Sequence, residues 1–143
     1  MRFFEYAQRL MALAETLFHW AGELANLDQS RRLRVALYAE EIAATLARAA
    51  TALTALECTP DDRTALLSAN RELGRIGGYV ETILAALEQH LDGRKPAGVK
   101  RRLENLHPFE LEAALVEHGA FRHATRLTSA EGYFRALADV LRT

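Results

Sequence analysis

One cysteine, three prolines and one tryptophan in 143 residues already close off several protein classes. A lone Cys58 supports neither a disulfide framework nor a cysteine-based zinc site, and it fits a reducing cytoplasm. Charge of one sign is missing too. Eighteen Lys+Arg against nineteen Asp+Glu give a net charge of −1, whereas a protein dedicated to coating DNA would be visibly basic. No long uninterrupted apolar run occurs. Glu5, Gln8, Arg9 and Glu15 break the apolar start of the chain, so it reads as neither a signal peptide nor a membrane span. The sequence has no Gly-rich phosphate loop, no nucleophile elbow, no Glu-x-x-His pair and no zinc-ligand spacing, so no metal and no cofactor is expected. His19, His90, His118 and His123 show no ligand pattern.

What is present is helical patterning. Half of the residues are apolar and a quarter are charged, the composition of a globular chain long enough for one domain with a real core. No stretch alternates with period two. Phe3, Tyr6, Leu10, Leu13, Leu17, Trp20, Leu24 and Leu27 follow at steps of three and four, with a second row, Phe4, Ala7, Met11, Ala14, Phe18, Ala21 and Ala25, beside it. Two adjacent rows make a face wide enough for two neighbours, which predicts that the first helix is a central member of a bundle. A second helix, capped by Ser30 or Asp28 and running to about Glu57, carries Val35, Tyr38, Ile42, Leu46, Ala49, Leu53 and Leu56 inward, with Arg48 among the outer residues. A third begins at TPDD, 59–62, where Thr59 is the predicted cap and Pro60 the first helical residue. Its stripe is Leu66, Ala69, Leu73, Ile76, Val80, Ile83 and Leu87, and Gly93 ends it.

Short connections make neighbouring helices antiparallel. The expectation is an all-α fold: an antiparallel bundle of three long helices over 1–92, then a basic hinge and a C-terminal set of shorter helices over 93–143, in a single domain 1–143. The short helices are placed at about 99–106, at 108–118 with Gly119 as the stop, and at about 129–141. The last of these starts from a capping box, Thr128-Ser129-Ala130-Glu131.

Three features stand out as candidate sites. In KRRLENLHPFELE, 100–112, Arg102 is followed after four residues by His107. That spacing resembles the motif of HEPN-type ribonucleases, small all-helical proteins. The resemblance implies a metal-independent ribonuclease in which His107 handles protons and Arg102 holds phosphate. The family commonly has a polar residue after the arginine, where this chain has Leu103. On a continuous helix, five residues turn the two side chains about 140° apart, and Pro108 forces His107 out of helical geometry. The alternative reading is a helix end whose basic residues oppose the dipole. RKPAGVKRR, 94–102, sets Arg94, Lys95, Lys100, Arg101 and Arg102 within nine residues. Such a cluster can meet phosphate, RNA or anionic lipid, but no aromatic residue is interleaved for base stacking, and a solvated linker is the competing reading.

The third feature is Gly74, Gly77 and Gly78 in the middle of a predicted helix. Three glycines there cost roughly 2–3 kcal/mol relative to alanine. One reading is close packing of a neighbouring helix, around Trp20 or Tyr38. The other is a hinge at which the helix bends, as a switched adaptor or an opening pore-former requires.

SRRLRVALYAEEIAATLARAATAL, 30–53, and EGYFRALADVLRT, 131–143, resemble helical segments that accompany bacterial STAND-type signalling ATPases and related anti-phage defence proteins. The first helix, followed by an Arg-Arg-Leu start to the second, is more distantly similar to HeLo-type four-helix bundles, which injure membranes when released. The resemblance implies a non-catalytic module that binds protein, itself included, and transfers no catalytic residue. The leading expectation is therefore a cytoplasmic helical protein–protein interaction module, a subunit or adaptor of a bacterial defence or signalling assembly. The alternatives are the ribonuclease, an RNA-binding helical subunit of a CRISPR-type effector complex using 94–102, and a membrane-active bundle.

Overall fold

The computed structural model describes residues 3–19, 26, 28–59, 61–87 and 120–142. Among them lie four α-helices and no strand: α1 (Phe3–His19), α2 (Gln29–Cys58), α3 (Arg63–Leu87) and α4 (Ala120–Arg142). The fold is all-α, as the patterning predicts.

Local chemistry sets the helix ends. The Asp28 carboxylate accepts from the Arg31 backbone N–H at 3.4 Å and so caps α2. At the turn between α2 and α3 the predicted cap moves. Thr59 closes α2, donating its N–H to the Ala55 carbonyl at 2.9 Å, while the Asp62 carboxylate accepts from Ala65 N–H at 3.0 Å and starts α3. An anion at the first turn opposes the positive helix end, which a threonine hydroxyl does not.

The C-terminal region departs further from expectation. Instead of a short helix beginning at Ser129, α4 is 23 residues long, longer than the 17 of α1. The Thr128 and Ser129 hydroxyls donate back to the carbonyls of Ala124 and Thr125, at 2.9 and 3.3 Å, as side chains do inside a helix rather than at its cap. The reason is packing. Ala124, Leu127, Ala130, Phe134, Leu137, Ala138 and Leu141 form one buried row through the would-be cap. Burying that continuous row favours one helix over two.

Among the described residues, α2 lies against both α3 and α4, and α1 lies against α4. Tyr38 meets Tyr79 and Arg48 meets Glu72, so α2 and α3 are antiparallel. Glu40 pairs with Arg142, and Ala47 to Thr54 face Ala124 to Glu131, so α2 and α4 are antiparallel as well. The physical cause is the breadth of the α2 face. Val35, Ile42, Leu46 and Leu53 are flanked by Ala36, Ala39, Ala43, Ala49 and Ala52, all buried, and the alanines let two neighbouring backbones come close. On α1, Leu13, Ala14 and Leu17 are buried, but Phe18 of the second row is 39% exposed.

Candidate interaction surface

Two polar arrangements and one bare helix face distinguish the described surface. The first arrangement is the α2–α3 seam. Glu72 sits between Ala69 and Ile76 on the inward stripe of α3, and its side chain is only 7% exposed. A buried carboxylate requires partners. Arg48 Nε donates to Glu72 Oε2 at 3.0 Å, and the Arg75 guanidinium lies 3.6 Å from the same oxygen. Arg48 also donates to the buried Thr45 hydroxyl at 3.1 Å, which in turn donates to the Glu41 carbonyl at 2.7 Å. Arg75 donates to the Tyr79 hydroxyl at 2.7 Å and lies over the Tyr79 ring, whose neighbour is the Tyr38 ring at 5.8 Å. Every member has a partner, and the seam fixes the register of the two helices.

The second arrangement joins α2 to α4. The Arg142 guanidinium hydrogen-bonds the Glu40 carboxylate, and that hydrogen bond, reinforced by its positive charge, holds the Glu40 carboxyl below the usual carboxylate range. Farther along the same two helices an open groove of about 400 Å³ is lined by Ala47, Ala50, Thr51, Thr54, Ala124 and Thr128 among others. Small side chains make up most of its lining, and Glu131, which also lines it, is paired with Arg135 at 2.8 Å.

The bare face belongs to α3. The helix continues without interruption through Gly74, Gly77 and Gly78, and all three are exposed. Nothing among the described residues lies within 4 Å of the position a Cβ would occupy at any of them. Tyr38, a predicted neighbour of the glycines, packs instead on Tyr79; Trp20 lies outside the described residues. Two turns before Gly74, Leu67 is 66% exposed, the most exposed large apolar side chain among the described residues. No family model, no curated protein and no solved structure matches the chain. Its own surface has to carry the functional reading.

Arg102, His107 and the basic residues Arg94, Lys95, Lys100 and Arg101 lie outside the described residues, as do the short helices expected at about 99–106 and 108–118. Among the described residues no cluster of His, Cys, Asp and Glu is placed to hold a metal, and no helix is long and apolar enough to cross a membrane. The Arg48–Glu72 pair escapes the sequence reading, which leaves Arg48 on the outer face. Its signal was the position of Glu72, a single charge three residues after Ala69 and four before Ile76 in an otherwise apolar row.

Proposed function

We propose that this chain is a non-catalytic helical protein–protein interaction module whose contact surface is the outer face of α3. The observation that carries the reading is the bare stretch around Gly74 and Gly78, on the same helix face as the exposed Leu67 two turns earlier. Three mid-helix glycines cost the isolated fold roughly 2–3 kcal/mol, and no described helix uses the space they leave. A docking helix would use it, because the absence of Cβ atoms lets a second backbone approach closely. Leu67, on the same face two turns from Gly74, offers such a helix an apolar contact. The resemblance of 30–53 and 131–143 to helical segments of bacterial signalling and defence proteins supports a subunit or adaptor role of that kind, in the cytoplasm.

Light scattering on the purified protein, with affinity capture from its native host by parent and Gly78→Leu forms, tests the proposal. A protein partner, or a second copy, retained by the parent and lost from the variant is the expected result. A strict monomer that retains nothing in either form overturns it.

A further inference from the structure

On α3, Leu67, Arg71, Gly74, Gly78, Glu81 and Ala85 follow at steps of four, three, four, three and four, and all six are exposed. At about 100° per residue these positions share one face, opposite the buried row of Ala69, Leu73, Ile76, Val80 and Ile83. A four–three rhythm is the spacing of a helix–helix seam. The order of residues along it is self-complementary. Taking Ile76 as the centre, Gly74 and Gly78 lie two residues to either side, Arg71 and Glu81 five, and Leu67 and Ala85 nine. Arg71 and Glu81 make no ion pair with any described residue, although Arg75, Glu72 and Arg48 nearby are all paired.

We propose that the partner of this face is a second copy of the chain, bound through α3 in an antiparallel pair about a two-fold axis that crosses the outer face between Gly74 and Gly78, level with Ile76. The proposal rests on the interaction-module reading and names its partner. In that pairing the Gly74–Gly78 stretches of the two helices cross with no Cβ atoms between them. Arg71 of each copy meets Glu81 of the other, and Leu67 of each covers the small Ala85 of the other. A two-fold contact must use one patch twice, and a patch ordered symmetrically about a point meets that requirement. A parallel pair would set Arg71 against Arg71 and Glu81 against Glu81, which opposes it. A helix of another protein would explain the bare glycines, but it would not call for the matched positions of the charges and of Leu67 and Ala85.

From Leu67 to Ala85 the seam spans about 27 Å. One helix pair of that length falls at the low end of interface sizes, so the dimer is concentration-dependent.

Sedimentation equilibrium over a concentration series is the measurement, on the full chain and four variants. Arg71→Glu and Glu81→Arg each place two like-charge pairs across the axis and are expected to weaken the dimer about ten-fold or more. Carrying both changes restores opposite charges and is expected to return the dissociation constant to within about three-fold of the parent. Gly78→Leu, which favours the helix and so keeps the fold, is expected to abolish association by holding the backbones apart. A chain carrying Cys58→Ser, Leu67→Cys and Ala85→Cys is expected to form intermolecular disulfides linking position 67 of one copy to position 85 of the other. Links from 67 to 67 would overturn the antiparallel arrangement. A dimer indifferent to either single reversal, or not rescued by the double, overturns this interface while leaving an interaction module that associates elsewhere. A parent that stays monomeric at every concentration also overturns it, and the capture experiment then decides whether the wider reading survives.

Discussion

Replacing Gly74, Gly77 and Gly78 by alanine is expected to stabilise the protein. Each glycine lies inside an unbroken helix and is exposed, and a Cβ added at any of them meets nothing described within 4 Å. The substitutions therefore add helix propensity, about 0.8–1 kcal/mol each, without a steric penalty. Part of that gain comes from narrowing the unfolded chain's conformational freedom. Together they amount to roughly 2–3 kcal/mol. With an unfolding entropy of about 2.1 cal/mol/K per residue, a chain of 143 residues loses stability at about 0.3 kcal/mol/K, so Tm rises by about 7–10 °C.

Urea unfolding followed by circular dichroism, at a concentration low enough to keep the protein monomeric, measures the effect. The expected signature is a higher midpoint with an unchanged slope. Neutral or destabilising single variants would refute the reasoning, because they would mean that something already fills the space in the folded monomer. That outcome would restore the close-packing reading of the glycines. The three positions also separate by location. Gly74 and Gly78 lie on the four–three row, and Gly77 lies about 80° from the centre of that row. Alanine at 74 or 78 is thus expected to stabilise the monomer and weaken self-association, and alanine at 77 to stabilise the monomer alone.

Other expectations follow from the paired charges. Arg48→Ala removes the 3.0 Å partner of a carboxylate whose side chain is 7% exposed and leaves Arg75 at 3.6 Å, a loss of about 1–3 kcal/mol by denaturant unfolding. Combining Arg48→Met with Glu72→Leu is expected to recover most of it, since no buried charge then remains unpaired; a double variant as weak as the single would contradict that. For Glu40 the folded carboxyl titrates below the usual range, chiefly through the hydrogen bond from Arg142. The folded state therefore holds the ionised form more firmly than the unfolded state does. The resulting stability is present above the ordinary carboxylate range and is lost as pH falls through the lowered folded value. The midpoint difference between parent and Arg142→Gln is expected to shrink over that acid window, and a difference constant with pH would show that the pair contributes nothing through titration. As an interaction module, the protein is expected to leave structured RNA intact in EDTA; cleavage that disappears in His107→Ala would replace this reading with the ribonuclease one.

The helical class was readable because the apolar rows of α2 and α3 repeat at steps of three and four, and burial follows them from Ile42 to Leu56 and from Ala69 to Ile83, with Tyr38 partly buried. Where the reading failed, two local patterns competed. Thr128-Ser129-Ala130-Glu131 has the composition of a capping box, yet Ala124 and Leu127 before it continue the row of Ala130 and Phe134, and the longer buried row decides. Two apolar rows on the first helix suggested a central member; among the described residues α2 has two neighbours along its length, and its buried alanines let helices approach from both flanks. Glu72 was hidden because its partner Arg48 is 24 positions away in the chain and on another helix, a pairing that no local spacing encodes. The candidate surface was half readable: the glycines were an oddity in the sequence, and only their exposure turns an oddity of packing into one of surface.

That exposure also links stability to association. A helix that buries one face needs nothing from the other except solubility, and for this charged residues serve well. The outer face of α3 departs from that economy twice, with glycines that weaken the helix and a leucine that meets solvent. If both departures serve one contact, substitutions along the row must move folding and self-association in opposite directions: Gly78→Ala stabilises the monomer and loosens the pair, and Leu67→Gln leaves the monomer unharmed while loosening the pair. Off the row no such opposition is expected. Gly77→Ala raises stability and leaves association alone. An unrelated defect in helix three, or a solvated face with no partner, would show no dependence on which side of the helix is changed, so this pattern of signs is what separates a binding surface from an accident of composition.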